Sequence, residues 1–121
     1  MPLFTRAGAF FMHDNQKQVI RVNRFSVPSD GRDEFMALLE STHGVIRQQS
    51  GVIDEMILEQ QVAVNLFSVL AIIRFEGEHV LQPTIAAIAQ ADQAAGIDRQ
   101  GVSRRLGIEA DIGFYRHAGP N

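Results

Sequence analysis

The chain has no cysteine, so it has no disulfide framework, no thiolate metal site and no cysteine nucleophile. That absence suits a reducing cytoplasm, which is the expected location. Tryptophan is also absent and tyrosine occurs once. No run of Lys and Arg exists; Arg104-Arg105 is the densest basic spot, and the formal net charge is −3. Nothing therefore draws the chain electrostatically to nucleic acid or to an anionic membrane. No stretch approaches the length needed to span a bilayer. Ala7-Gly-Ala-Phe-Phe-Met12 is short and glycine-broken for a secretion signal, and no small-residue cleavage site follows before His13-Asp14-Asn15. There is no phosphate-binding glycine loop and no dinucleotide fingerprint. Ser41, Ser50, Ser68 and Ser103 lack a nucleophile elbow. No two histidines have metal-ligand spacing on one element, so no metal site is expected.

What is present is an ordinary globular composition, 45% hydrophobic and 21% charged over 121 residues, enough for one domain with its own core. The expected division is an N-terminal extension over 1–17, a domain over 18–117 and a tail over 118–121. Phe4, Phe10, Phe11 and Met12 make the extension too apolar for a free tail, so it is expected to pack on the domain or on a second copy, the alternative being a partly disordered terminus.

Val19 to Val27 is rich in β-branched and aromatic residues and is closed by Pro28, Ser29, Asp30 and Gly31, which reads as a strand ending in a turn. Alternation puts Val19, Arg21, Asn23, Phe25 and Val27 on one face and Ile20, Val22, Arg24 and Ser26 on the other. Ser29 or Asp30 is expected to cap an amphipathic helix in which Phe35, Leu38, Leu39, Thr42, Val45 and Ile46 recur at helical spacing to about Gln49. Val52–Val62 reads as a second strand. Leu66–Phe75, apolar on both faces, reads as a third strand at the sheet centre, covered on both sides. A second helix runs to about Ala95, with Pro83 in its first turn and Gly96 as its stop. Residues 97–105 are ambiguous, and Leu106–Arg116 alternates as a half-buried strand.

The order is β-α-β-β-α-β, an α+β, ferredoxin-like fold with a four-stranded antiparallel sheet. Two helices cover one face of such a sheet, yet Ile20, Val22, Leu66, Leu70 and Ile72 are apolar on the other. The expected cover is the same face of a second subunit, giving a homodimer.

These segments carry a resemblance. Val22-Asn-Arg-Phe25 followed by Val27-Pro, then Gln49-Ser-Gly-Val-Ile53 and Ile73-Arg-Phe-Glu76, in that order, resemble the antibiotic biosynthesis monooxygenase domain over roughly residues 18–117. The resemblance implies a dimeric α/β barrel and an oxygenase that uses neither metal nor flavin. Such an enzyme deprotonates a small aromatic or quinol-like substrate and lets the carbanion react with dioxygen. Thr42-His-Gly-Val-Ile46 and Asp111-Ile-Gly-Phe114 are similar to segments of that family's haem-degrading branch, which uses an Asn on the first strand, a Trp at the end of the third and a His on the second helix. Asn23 matches the first and Phe75 stands at the second. The His position falls near Ile85, and no histidine lies between His79 and His117, so haem is disfavoured. No cofactor is expected.

The candidate catalytic residues are Asn23, His43 and His79, and the candidate substrate contacts are Phe25, Phe75 and Arg74. Asn is depleted in strands, so Asn23 either bonds to a neighbouring strand or serves a ligand. Histidine suits proton abstraction near neutral pH, against the plainer reading of boundary residues. Phe75 is either a wall for a planar substrate or plain core. Arg74 meets an acidic substrate or pairs with Glu76 or Asp111. The alternative function is a non-catalytic dimer that binds a small hydrophobic molecule or is merely structural.

Overall fold

The structure, a computed structural model, describes residues 16–119. All but the last two residues of the expected N-terminal extension lie outside it. The elements are β1 (Val19–Pro28), α1 (Arg32–Ile46), β2 (Val52–Ala63), β3 (Leu66–Phe75), α2 (Leu81–Ala95), α3 (Arg99–Leu106) and β4 (Glu109–Tyr115). Short 3₁₀ turns at Ser29–Gly31 and Glu78–Val80 lead into α1 and α2. The four strands form one antiparallel sheet in the order β2-β3-β1-β4. This is the ferredoxin-like α+β arrangement expected from the sequence. Among the described residues no helix is long and apolar enough to cross a membrane.

Local chemistry accounts for most boundaries. Two residues, Val64 and Asn65, turn β2 into β3, and the Asn65 carbonyl accepts from the Ser29 N–H at 2.9 Å. Gly51 opens β2 with φ +92°, and a Cβ there would lie 2.5 Å from Cγ2 of Val80, so both backbone and packing require glycine. Gly96 ends α2 in the left-handed conformation, as its position predicts.

Two expectations change. Neither Ser29 nor Asp30 caps α1: the cap position is Gly31, without a side-chain bond, and the Ser29 hydroxyl instead donates to the Val64 carbonyl. The ambiguous stretch forms a third helix, α3. The Asp98 carboxylate caps it by accepting from the Gly101 N–H at 3.1 Å. A Cβ at position 101 would sit 2.3 Å from Asp98 Oδ2, so the glycine leaves room for the cap.

The three helices lie on one face of the sheet. Strand register places Val19, Arg21, Asn23, Phe25 and Val27 of β1 on that face, beside Phe75, Ile73, Ala71, Val69 and Phe67 of β3. From α1, Phe35, Leu39, Thr42, His43 and Ile46 turn inward at helical spacing. The buried core has two parts, one around Val27, Phe35, Leu39, Val69 and Ala71, the other around Ile46, Ile73, Phe75 and Val80.

The opposite face carries Ile20, Val22, Leu70 and Ile72 at its centre, with Met56 and Leu58 each 47% exposed and Tyr115 57% exposed. β4 differs from the half-buried strand expected, since none of its residues is buried and Ile112 and Phe114 stay open on the helix side. It is an edge strand and buries nothing against the helices.

Candidate functional site

Between the sheet and the helices lies a cavity of about 230 Å³. Its walls are mostly apolar: Phe25 on β1, Leu39 and Ile46 on α1, Ala71 and Ile73 on β3, and Ile85 and Ile88 on α2. Five polar side chains enter it, Arg21 and Asn23 from β1, Thr42 and His43 from α1, and Arg99 from α3. Apolar walls with a few convergent polar groups are the usual composition of a small-molecule site.

Asn23 sits between Ala71 of β3 and Ile112 of β4, neither of which offers a side-chain hydrogen bond. Its Oδ1 is buried and has no hydrogen-bond partner, the one such side-chain atom among the described residues. Orphaned buried acceptors are uncommon because each loses its hydration without replacement.

His43 is 1% exposed. Its Nδ1 lies 2.6 Å from Oε1 of Glu55 on β2, and Arg47 Nε donates to Glu55 Oε2 at 3.1 Å. Burial pushes the Glu55 carboxyl up, but the hydrogen bonds from His43 and Arg47 outweigh it and hold the group below the ordinary carboxylate range. Glu55 is therefore an anion at neutral pH and can only accept, so the His43 Nδ1 is the donor, and in the neutral form of the ring the lone pair is on Nε2.

The two arginines differ. Arg99 is fully engaged: Nε and one terminal nitrogen donate to Asp92 at 2.9 and 2.7 Å, and the other donates to the Thr42 hydroxyl at 2.7 Å. That hydroxyl in turn donates to the Leu38 carbonyl at 2.9 Å. Arg21 has no hydrogen bond or ion pair among the described residues, and burial pushes its guanidinium down from its ordinary value.

Of the residues singled out from sequence, Asn23, Phe25 and His43 line this one cavity. His79 is exposed on the turn before α2, packed beside Gly77 and outside the cavity wall. Phe75 is 2% exposed, within the core formed with Ile46, Ile73 and Val80. Arg74 faces the other side of the sheet and donates to Asp54, its register neighbour on β2, at 3.1 and 2.5 Å. The partner is thus neither Glu76 nor Asp111.

Sequence reasoning missed Arg21, Thr42, Glu55 and Arg99. Arg21 was visible as a charged residue on the same strand face as Asn23. The others depend on contacts between distant segments. A larger hollow of about 410 Å³ lies at one end of the sheet, lined by Arg24, Ser26, Glu109 and Asp111 among others, and contains no orphaned polar atom. Among the described residues no three imidazole or carboxylate groups converge to hold a metal ion.

A single-substitution form of SnoaB, a cofactor-independent oxygenase of Streptomyces nogalater, superposes with a TM-score of 0.65 at 20% identity, over 85% of this chain and 95% of that one. The chain shares its fold. A provisionally assigned antibiotic biosynthesis monooxygenase of Deinococcus radiodurans gives a TM-score of 0.60 at 16% identity, over 84% and 93% of the two chains. The resemblance read from the sequence thus holds at the level of the fold. No protein-family model and no curated protein matches the sequence. A de novo designed protein also superposes, with a TM-score of 0.58 at 10% identity over 84% of this chain and 99% of that one. The fold alone therefore carries no activity, and function must be argued from the cavity.

Haem, which one branch of the resembling family takes, does not fit this cavity in that branch's manner. Ile85, a hydrocarbon, stands on the wall near the position where that branch carries its histidine.

Proposed function

We propose that the protein is a cofactor-independent monooxygenase of the antibiotic-biosynthesis type, acting on a small aromatic or quinol-like substrate with dioxygen. The observation that carries this reading is the buried, unpartnered Oδ1 of Asn23 in the same cavity as the His43–Glu55 pair. An orphaned acceptor beside a buried base is costly in an empty cavity and is relieved by a ligand that donates a hydrogen bond.

In this reading His43 Nε2 takes a proton from an activated C–H of the substrate, and the imidazolium is stabilised by the Glu55 carboxylate. The carbanion, its charge spread over the ring and steadied by the cationic side of the cavity, passes an electron to dioxygen. The resulting radicals combine at that carbon to give a peroxide, which takes the proton back from His43. Loss of water then breaks the O–O bond and leaves a carbonyl. The reacting carbon therefore carries two hydrogens, one taken by His43 and the other lost with the departing water; the substrate supplies all four electrons that reduce dioxygen, one oxygen atom enters the product and the other leaves as water. Asn23 orients the substrate, and the apolar walls keep solvent from the carbanion.

Dioxygen uptake tests it, with anthrone-like tricyclics, polyphenols and quinols and no added metal or flavin. The expected result is turnover in the unaltered protein, reduced roughly a hundredfold in Asn23→Ala, as when one orienting group of an active site is lost. Equal turnover in both proteins overturns the assigned role of Asn23. No uptake from any substrate class leaves the second reading, a non-catalytic module that binds a small hydrophobic molecule; the small cavity, with Phe75 in the core and not on its wall, favours that reading.

The active form in this proposal is a homodimer paired through the open sheet face, where Ile20, Val22, Met56, Leu58, Leu70 and Ile72 are otherwise left to solvent. Leu58→Lys is expected to give a folded monomer at concentrations where the unaltered chain sediments as a dimer, because a lysine ammonium cannot be buried there without a partner. A dimer that survives the substitution contradicts pairing through this face.

A further inference from the structure

We infer that the cavity takes a hydroxylated aromatic acid, the carboxylate on Arg21 and the hydroxyl on Oδ1 of Asn23. This deepens the reading of the cavity as the active site by naming the substrate class, and it rests on that reading.

Most charges around the cavity are paired. The Arg99 guanidinium is neutralised by Asp92 and held by Thr42. The Glu55 carboxylate is shared between His43 and Arg47. Arg21 is the remaining charged side chain on the cavity wall, and it has no partner among the described residues. Its cross-strand neighbours on the same face are Ile73 and Phe114, which offer it no acceptor. A guanidinium held at a partly buried, mostly apolar site without an anion is unfavourable, and burial lowers its proton affinity. A planar carboxylate relieves that cost with two parallel hydrogen bonds from the arginine fork.

The second anchor sets the rest of the ligand. Asn23 Oδ1 accepts only, so its ligand partner must be a donor. Arg21 and Asn23 are two residues apart on one strand and share a face, so their Cα atoms stand about 6.5 Å apart. That spacing suits one benzene ring with an acid and a hydroxyl on opposite sides. Phe25, Ala71 and Ile73 supply the apolar surface for the ring.

Isothermal titration of the full chain with 4-hydroxybenzoate, 4-hydroxybenzamide and benzoate tests this. The acid is expected to bind at least about tenfold more tightly than the amide, the difference a hydrogen-bonded charge supplies. Arg21→Met should erase that preference, while Arg21→Lys should keep part of it. Asn23→Ala should bring 4-hydroxybenzoate down to the level of benzoate. Equal binding of acid and amide by the unaltered protein, no binding of any of the three, or a preference that survives Arg21→Met overturns the inference. The first two comparisons need no variant, so a misfolded mutant does not shield it. Binding requires no turnover. Acid preference without dioxygen uptake upholds this inference and defeats the oxygenase, whereas uptake of neutral quinols without acid preference does the reverse.

Discussion

His43→Gln is expected to lower dioxygen uptake by roughly a hundredfold to ten-thousandfold, the usual contribution of a positioned general base. The loss should fall on kcat with KM little changed, because glutamine keeps a polar contact with Glu55 but cannot take the proton. Glu55→Gln should cost less, since the imidazole remains but loses the anion that fixes its tautomer and steadies the imidazolium. Steady-state oxygen-electrode measurements on both variants check this; undiminished kcat in His43→Gln removes the base from the mechanism.

The same pair makes a pH prediction. Glu55 is held below its ordinary range in the folded protein, so its pairing stabilises the fold at pH values above the ordinary carboxylate range. That stability is lost as the pH falls through the depressed value. Denaturant titrations of the unaltered protein should therefore show a fall in stability toward acid that Glu55→Gln lacks in part.

Phe75→Ala is expected to cost about 3–5 kcal/mol of stability, as for other large side chains removed from a packed core. Phe75 is 2% exposed and packs with Ile46, Ile73 and Val80, so its removal leaves a void within the core. Urea unfolding followed by circular dichroism measures the loss. Phe75→Leu should cost far less, since it restores most of the volume. If Phe75 is a substrate wall, the opposite pattern appears: near-native stability with a raised KM.

These expectations depend on different kinds of information. The strands, the two long helices and their order follow from local chemistry. Alternation along Val19–Val27, the helical spacing of Phe35, Leu39, Thr42 and Ile46, and the left-handed glycine at 96 act within a few residues of one another. The third helix was not legible, because its stability comes from the Asp98 cap and from Leu106 packing on the first core group, and not from an apolar stripe of its own.

For the cavity, the sequence placed Arg21, Asn23 and Phe25 together on one strand face, because a strand's period of two leaves no choice. It could not tell which neighbours those side chains would meet. Glu55 reaches His43 only because β2 lies at the sheet edge beneath α1, and Arg99 reaches Thr42 across 57 residues of chain. Phe75 and Phe25 looked alike as aromatic residues on strands; the helix packing sent one into the core and left the other on the cavity wall. By itself, then, the sequence determined the elements and which side of each strand a residue takes. Tertiary structure decided which polar groups are satisfied and which, like Arg21 and Oδ1 of Asn23, are left for a ligand, because hydrogen bonding and burial depend on segments far apart in the chain.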